Sequence, residues 1–552
     1  MKIGLIPLDE RPANTRYPAM IAAIGGAELL LPPTEILSER RRPADCAALA
    51  GWLAQAAPNL DALIVSCEML GYGGLIASRT SHDPASIVLA RLDALRAVRQ
   101  AHPQLPIYGF NVIARVSNAD DAVEEPGYWA SYGVRLYRLS QLLDRQEQGQ
   151  MVEGELAALA SEIPAEHRAD FLRRRMRNHA ANLAALQLLA DGVLDLLVLS
   201  SDDTSPYGLP SREKRWLAGW ATVLGLGGWR AGASPQADDA PDSPHVYDTQ
   251  TWDLSVGLEP GAENQERPAA EGARPAEAEP ARLLMYPGAD EVGCALVARA
   301  LCGGAGPTVA ASYAPPAGAE QVAAYEDVPV RLTVERQIAA IGGRLVNHGA
   351  EIWLGVCAPV PRRSEWSAEH AEAERDERWP ALQVLVAEAR WRMQAGQAVA
   401  LADASYPNGA DPALTELLLA EADLSRLAAY GAWNTAGNTI GCVLAQASVA
   451  RLAASPEQRD AHERFLLHRL IEDWGYQGVV RADIRAWLRD EHGLAEPTEA
   501  LMPAVQARVA RGLNTLLGRL PGFAGRYRVA PGSVRLPWGR TFEVDFDLVA
   551  QA

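Results

Sequence analysis

The chain has 552 residues, of which 48% are hydrophobic and 22% charged, and its formal net charge is −18. This composition supplies a large apolar core and excludes a disordered chain, and the length allows several small domains or one large α/β domain with additions. The acidic charge has the wrong sign for neutralising phosphates, so we expect no nucleic-acid partner. Lysine occurs only at Lys2 and in a charged helix start at Lys214, which we expect to be solvated. Neither suits a Walker loop, a pyridoxal phosphate site or a Schiff base, which excludes these chemistries.

The cysteines and the start of the chain indicate where the protein works. Six cysteines are scattered without a C-x-x-C pair, and charged residues at 9–11 come too early for the apolar region of a signal peptide. No apolar run approaches the ~18 residues that a membrane helix needs. We therefore predict a reducing, cytoplasmic location and no membrane partner.

Short apolar runs, each followed by a helical stretch, recur through the first 450 residues. The runs are Ile3–Pro7, Ala62–Ser66, Ile107–Val112, Leu194–Ser200, Leu283–Tyr286, Val309–Ser312, Ile352–Val356, Val399–Ala402 and Leu427–Tyr430. Continuous apolar strands between amphipathic helices indicate parallel sheets that are buried on both faces. Nine strands fit a (β/α)8 barrel with one extra strand, or two doubly wound sheets that divide near residue 280. We favour the barrel.

This interpretation divides the chain into two domains. Residues 1–455 form the α/β barrel-like catalytic domain, with a flexible insertion at about 232–281, where Pro, Ala, Glu and Asp dominate. Residues 456–552 form a small α+β extension. In it, charged helices around 464–473, 481–490 and 503–517 precede β segments at 527–529 and 534–548.

Polar side chains follow nearly every predicted strand, at the sheet edge where parallel α/β folds build their sites. We predict that the substrate is bound by Asp9, Arg11, Asn14, Glu68, Arg79, Asn111, Arg115, Asp290, Asn408, Trp433, Asn434 and Asn438. A plainer explanation exists for an isolated case, because an aspartate after a strand often caps the next helix, and Asp290 and Asp411 suit that role. One barrel requires these side chains to converge. Two sheets would separate them into different clefts or face them across an interface.

Asp202 and Asp203 directly follow a strongly apolar strand. Two adjacent carboxyls that are partly desolvated cannot both ionise easily, so one would hold a proton near neutral pH. That division into acid and base is what glycoside hydrolysis requires. Adjacent positions suit a mechanism in which the substrate's 2-acetamido group is the nucleophile, with one aspartate orienting it and the next donating the proton. The alternative is a helix cap combined with an ion pair to Arg212.

Several motifs together resemble a bacterial family of unknown function, number 4127 among the domains of unknown function. The resemblance spans essentially the whole chain and implies no activity. Its motifs are P-L-D-E-R-P-x-N at 7–14, S-C-E-M-L-x-Y-G-G-L-I-A-S-R at 66–79, S-S-D-D-T-x-P-Y-G at 200–208, P-G-A-D-E-V-G at 287–293, S-Y-P-N-G-A-D-P at 405–412, W-N-T-A-G-N-T at 433–439 and L-P-W-G-R-T-F-E-V at 536–544.

The aspartate pair alone is similar to the acid pair of family 84 glycoside hydrolases, which are (β/α)8 enzymes that remove β-linked N-acetylglucosamine with substrate assistance. By this resemblance Asp202 orients the acetamido group and Asp203 is the general acid. It also implies that Asn434 and Asn438 hold sugar hydroxyls and that Trp433 stacks on a ring.

We therefore expect a hydrolase of a glycan or amino sugar, resembling β-N-acetylhexosaminidases, which needs no cofactor and no metal. One alternative is an enzyme that uses Mg²⁺, Mn²⁺ or Ca²⁺ held by Asp9, Glu10, Asp202, Asp203 and Asp290, because hard cations prefer oxygen ligands. A second alternative is a sugar-binding protein without catalysis. The expected partner in each case is a small molecule or glycan, and the sequence leaves the oligomeric state open.

Overall fold

The computed structural model describes residues 1–226, 281–359 and 374–551. The predicted insertion at about 232–281 lies outside these residues, apart from its last position. Within the described ranges, no helix combines the length and the apolar character that a bilayer crossing requires.

Two parallel sheets form the framework. The strands of the first sheet are β1 Lys2–Ile6, β2 Glu28–Leu30, β3 Ala62–Ser66, β4 Ile107–Ile113, β5 Leu196–Ser201 and β6 Leu283–Pro287, in the order β2-β1-β3-β4-β5-β6. Those of the second are β7 Thr308–Ala314, β8 Arg344–Leu345, β9 Ile352–Cys357, β10 Ala398–Asp403 and β11 Ala429–Gly431, in the order β11-β10-β9-β7-β8. An antiparallel hairpin pairs β12 Tyr527–Val529 with β13 Leu548–Ala550.

Helices pack around and between the sheets. They are α1 Arg16–Ile24, α2 Cys46–Ala56, α3 Cys67–Tyr72, α4 Leu75–Thr80, α5 Ala85–Leu92, α6 Ala94–Ala101, α7 Trp129–Glu147, α8 Glu153–Glu162, α9 Ala165–Ala190, α10 Leu209–Val223, α11 Val292–Leu301, α12 Val330–Ala340, α13 Arg375–Gln394, α14 Pro412–Glu421, α15 Ala436–Ala450, α16 Pro456–Arg469, α17 Arg481–His492 and α18 Met502–Leu517. A π-helical segment, Leu470–Val480, joins α16 to α17.

All nine predicted strands are present, but the described strands form two open sheets, so the closed barrel is not confirmed. The physical reason lies at the sheet edges. The short strand β2, which the sequence pattern missed, pairs with β1 on the side opposite β3 and occupies the edge that a closing strand would need. The equally unforeseen β8 occupies one edge of β7. The chain therefore changes sheets between β6 and β7, somewhat later than the division near residue 280.

One apolar core joins the two sheets. Leu5 of β1, Ala295 of α11, Leu354 of β9 and Val443 of α15 belong to this core, and each is fully buried. Helices α11 and α15 are packed against each other within it. Because burying a leucine or valine side chain contributes about 1.5–3 kcal/mol, this shared core fixes the sheets relative to each other.

The C-terminal part packs on the outer face of the second sheet. Leu466 of α16, Val509 of α18 and Phe546 share an apolar core with Trp353 and Leu401 of that sheet. Most of the predicted β segment at 534–548 is irregular, with only an isolated bridge between Arg535 and Asp545 before β13. The boundary at residue 455 stays a prediction.

Candidate functional site

The carboxyl ends of the two sheets open into one polar cavity of about 590 Å³. Residues separated by more than 400 positions meet there, as the sequence predicts for a single site. The predicted residues that line this cavity are Arg11, Arg79, Arg115, Asp202, Asp203, Asp290, Asn408, Asn434 and Asn438. Two sheets thus achieve the convergence that was expected of one barrel, because their strand ends face the same space.

Asparagines of the second sheet tie the two sheet ends together. Asn438 Oδ1 accepts hydrogen bonds from the backbone N–H groups of Ala289 and Asp290, at 3.1 and 3.0 Å. Asn434 Nδ2 donates to Asp290 Oδ2 at 3.3 Å. These bonds hold the loop after β6 against the loop after β11, so the cavity has a defined floor.

Arg11 organises the first half of the site. Its guanidinium lies 2.7 Å from Asp9, 2.5 Å from Asp290 and 3.0 Å from Glu543, and its side chain is only 5% exposed. The loops after β1 and β6 therefore meet, although three strands separate these two in the sheet. Asn14 donates to Asp9 and Asp290, at 2.9 and 3.1 Å. Burial raises the pKa of Asp290 to about 6, even though Arg11 opposes the rise.

Asp290 does not have the capping role considered from the sequence. Helix α11 begins at Val292, and the Asp290 carboxylate is bonded to Arg11 instead. Asp411 does cap α14, since its side chain accepts from Ala413 and Leu414 N–H groups. Lys214, expected to be solvated, is buried in an ion pair with Asp327 at 2.8 Å.

The aspartate pair lies directly after β5. Asp202 pairs with Arg79, and Asp203 Oδ2 accepts from Arg115 Nη1 at 2.7 Å. Neither aspartate caps α10, which begins at Leu209, and Arg212 pairs with Glu147 instead. The predicted alternative of a cap with an Arg212 ion pair is therefore wrong.

The two carboxyl groups differ in their exposure to solvent. The Asp203 side chain is 32% exposed to the cavity and that of Asp202 is 14% exposed. Burial and the neighbouring Asp202 charge raise the pKa of Asp203, while Arg115 limits the rise. Among the described residues no donor bonds to Oδ1 of either aspartate, so each has an oxygen available for a ligand.

Two glutamates that sequence reasoning missed connect these arginines. Glu124 lies 3.0 Å from both Arg79 and Arg115, and Glu125 lies 3.7 and 3.4 Å from the same two guanidiniums. Both come from the loop after β4. The sequence shows these residues as an E-E-P run at 124–126. Because this run lies well after the end of β4, the strand pattern alone does not place it at the end of the sheet.

The irregular segment before β13 supplies further missed residues. Arg540 pairs with Glu124 and lies 3.5 Å from Glu543, which in turn bonds Arg11. The ring of Trp538 lies between two guanidiniums, 4.7 Å from Arg11 and 4.5 Å from Arg540. This segment is the L-P-W-G-R-T-F-E-V motif, whose predicted β conformation gave no reason to place it at a site. It completes one continuous ion-pair chain from Asp290 to Asp203.

Backbone strain is concentrated around this cavity. Of the six non-glycine residues with positive φ in the described part of the chain, five line it and the sixth is Arg40. The five are Asp203, Tyr325, Asn408, Asn434 and Trp538, with φ between 35° and 64°. Such conformations are costly, least so for asparagine, and they cluster at functional sites in proteins.

The remaining predicted residues lie behind the cavity wall. Asp9 and Asn14 support Arg11. Glu68 is buried and accepts from Val112 N–H at 2.7 Å, with the Asn111 amide 2.8 Å from its carboxyl oxygens. Burial raises the pKa of Glu68 to about 8. Trp433 is buried edge-on against Tyr17 and does not line the cavity, so it is not placed to stack on a bound ring.

Each carboxylate of the predicted metal set accepts at least one hydrogen bond from a protein donor. Asp9 and Asp290 bond Arg11, Asp202 bonds Arg79 and Asp203 bonds Arg115. Glu10 accepts from Trp538 Nε1 at 2.7 Å. Across the described ranges, no three His, Cys, Asp or Glu side chains are arranged to hold a metal ion.

Fold and site together define an α/β protein of two parallel sheets with a charged cavity at their shared carboxyl end. The chain belongs to the family described as a protein of unknown function, DUF4127, which matches residues 3–241 and 259–547. Neither a comparison with curated proteins nor one with solved structures gave a match.

Proposed function

We propose that this protein is a hydrolase of glycans or amino sugars, of the β-N-acetylhexosaminidase kind, with Asp203 as general acid and base. The observation that carries the proposal is the hydrogen bonding of the two aspartate carboxylates. Each carboxylate lines the cavity with one oxygen bonded to an arginine and the other without a described donor. The raised pKa of Asp203 favours its protonated form, which a general acid needs.

The residues support substrate assistance as follows. The acetamido carbonyl oxygen attacks C1 of the sugar, the glycosidic C1–O bond breaks, and the leaving oxygen takes the proton from Asp203. Asp202, positioned by Arg79, accepts the acetamido N–H and orients the attack. A water then attacks C1 while Asp203 takes its proton, which restores the acetamido group and the acid.

The rest of the cavity suits a hydroxylated ligand. Asn408, Asn434 and Gln477 supply amide donors and acceptors along its wall. Most ligand pockets are lined by apolar side chains, whereas this cavity is lined largely by charged and amide groups. These groups can form hydrogen bonds with the hydroxyl groups of a polar ligand.

The experiment compares a good and a poor leaving group. The substrates are 4-nitrophenyl N-acetyl-β-D-glucosaminide and chitobiose, and the variants are Asp203→Asn, Asp202→Asn and the rim control Asp121→Asn. Without the acid, chitobiose turnover should fall by about 100-fold or more, and nitrophenyl release, which needs less protonation, should fall much less. Asp202→Asn should slow both substrates, and Asp121→Asn neither. A parent protein without turnover, or an Asp203→Asn variant as fast as the parent on chitobiose, contradicts the proposal.

One observation favours a second candidate, a sugar-binding protein without catalysis. Arg79, Arg115, Arg540 and Arg11 pair with carboxylates throughout the site, an arrangement that rigidifies a binding cavity. Calorimetric binding of N-acetylglucosamine or chitobiose, with no product after long incubation, would select this candidate over the hydrolase.

A further inference from the structure

Two of the arginines that line the cavity form no ion pair with a carboxylate of the described residues. Six arginines line it, and four of them, Arg11, Arg79, Arg115 and Arg540, lie within ion-pair distance of carboxylates. The other two, Arg481 and Arg485, occupy the first turns of α17 on the wall that the C-terminal part contributes. No carboxylate of the described residues lies within 4.0 Å of either guanidinium.

Two protein contacts hold the Arg481 guanidinium in place on the cavity wall. Its Nη1 donates to Gln477 Oε1 at 2.9 Å, and its guanidinium lies over the Phe542 ring, 5.2 Å from the centroid. Gln477 is fixed in turn, because its Nε2 donates to the Phe542 carbonyl at 2.8 Å. The buried Nε of Arg481 has no acceptor among the described residues. One edge of the guanidinium is thus anchored while its remaining N–H groups lack a protein partner.

Like charges surround this guanidinium. Burial and the neighbouring Arg485 and Arg540 charges lower the pKa of Arg481, with only a partial offset from Tyr476 and Glu496. Arg485 lies one helical turn from Arg481 and is exposed, whereas Arg481 is half-buried, so the repulsion falls mainly on the desolvated Arg481 guanidinium. An anionic ligand group would relieve this repulsion and take the unused N–H donors.

We propose that Arg481 and Arg485 form an anion subsite of the cavity, which binds an acidic substituent of the glycan. This inference rests on the proposed function and adds a preference, among its substrates, for sugars that carry a sulfate, phosphate or carboxylate group. The Asp202–Asp203 pair acts on the glycosidic bond, and the two arginines select the charged substituent. Guanidiniums bind all three oxyanions through paired N–H donors, so the shared chemistry is the oxyanion.

Equilibrium binding tests the subsite without requiring turnover. The probes are inorganic phosphate, N-acetylglucosamine, and its 6-sulfate and 6-phosphate, each titrated calorimetrically at low and high salt. The variants are Arg481→Gln with Arg485→Gln, and the control is Arg489→Gln, an exposed arginine of the same helix that pairs with Asp490. We expect the charged sugars to bind at least ~10-fold more tightly than N-acetylglucosamine at low salt. The double variant should lose this preference and the control should keep it.

The outcomes separate this inference from the proposed function. Phosphate binding that the double variant abolishes supports the anion subsite even if no sugar is hydrolysed. Equal affinity for neutral and charged sugars, together with no arginine-dependent phosphate binding, overturns the subsite. Hydrolysis of neutral chitobiose by the parent would leave the hydrolase proposal intact in that case. A preference between sulfate and phosphate identifies which oxyanion the subsite fits.

Discussion

Arg115 sets the protonation of Asp203, which accepts its hydrogen bond at 2.7 Å. The Arg115 charge lowers a pKa that burial and Asp202 raise. A general acid must be protonated, so turnover should fall as pH rises through the pKa of Asp203. Arg115→Gln removes the opposing cation and should shift this alkaline limb upward by about one pH unit or more. The pH profile of kcat/KM checks this, with the exposed Arg138→Gln as control. An alkaline limb that stays in place or moves to lower pH would contradict the assignment of Asp203 as the general acid.

Glu68 gives a prediction for stability. Its pKa of about 8 in the folded protein lies above the ~4.3 of an unfolded chain, so the folded state holds the proton more tightly. Its contribution to stability is full below about pH 4.3 and is lost as pH rises towards 8. Relative to the parent, Glu68→Gln should therefore gain up to about 4 kcal/mol in free energy of unfolding between pH 5 and pH 9. Denaturant titrations at both pH values measure the gain, with exposed Glu155→Gln as control. If the difference in free energy of unfolding between Glu68→Gln and the parent is the same at pH 5 and pH 9, Glu68 does not hold a proton in the folded state at pH 5.

The residue types at the site were readable from the sequence, but their partners were not. Arg79, Arg115 and the aspartates each follow a predicted strand, which places them at a sheet end. Glu124 and Arg540 come from irregular segments, whose path depends on the packing of the whole chain. No local pattern could therefore have paired Glu124 with Arg79 or with Arg540.

At the scale of elements, the junction between β6 and α15 joins the two sheets. Gly437, near the start of α15, lies so close to β6 that an added Cβ would come within 2.0 Å of the Pro287 carbonyl oxygen. We expect Gly437→Ala to destabilise the protein by about 2–3 kcal/mol, because backbone at this junction must move. In contrast, Gly219→Ala in α10 meets open space and should stabilise by about 0.5–1 kcal/mol. Thermal unfolding should show a lower midpoint temperature for Gly437→Ala than for the parent and a higher one for Gly219→Ala. Equal stability of Gly437→Ala and the parent would refute the tight junction.

The strands were predictable because their apolar runs are continuous and buried on both faces, as in β3, where all five residues are buried. Closure of the sheet was not. It depends on β2 and β8, which have three and two residues and carry too little pattern to be recognised. These two short strands occupy the edges of β1 and β7 and thereby decide between one barrel and two sheets.

At the scale of the whole molecule, one cavity is assembled from distant parts of the chain. The first sheet supplies the aspartate pair, the second sheet supplies Asn408 and Asn434, and the C-terminal part supplies Trp538 and the two unpaired arginines. Replacing buried ion pairs by apolar packing is often neutral or stabilising, so a concentration of paired charges at one place is typical of a functional site. One apolar core joins the two sheets, and a second core joins the C-terminal part to the second sheet.

The most direct test of this account is a crystal structure of the Asp203→Asn variant with bound chitobiose. We predict that the disaccharide lies in the cavity between the two sheets, with its glycosidic oxygen within hydrogen-bond distance of residue 203 and its acetamido N–H on Asp202. A disaccharide bound elsewhere on the protein, or an empty cavity at a concentration that saturates binding in solution, would contradict it.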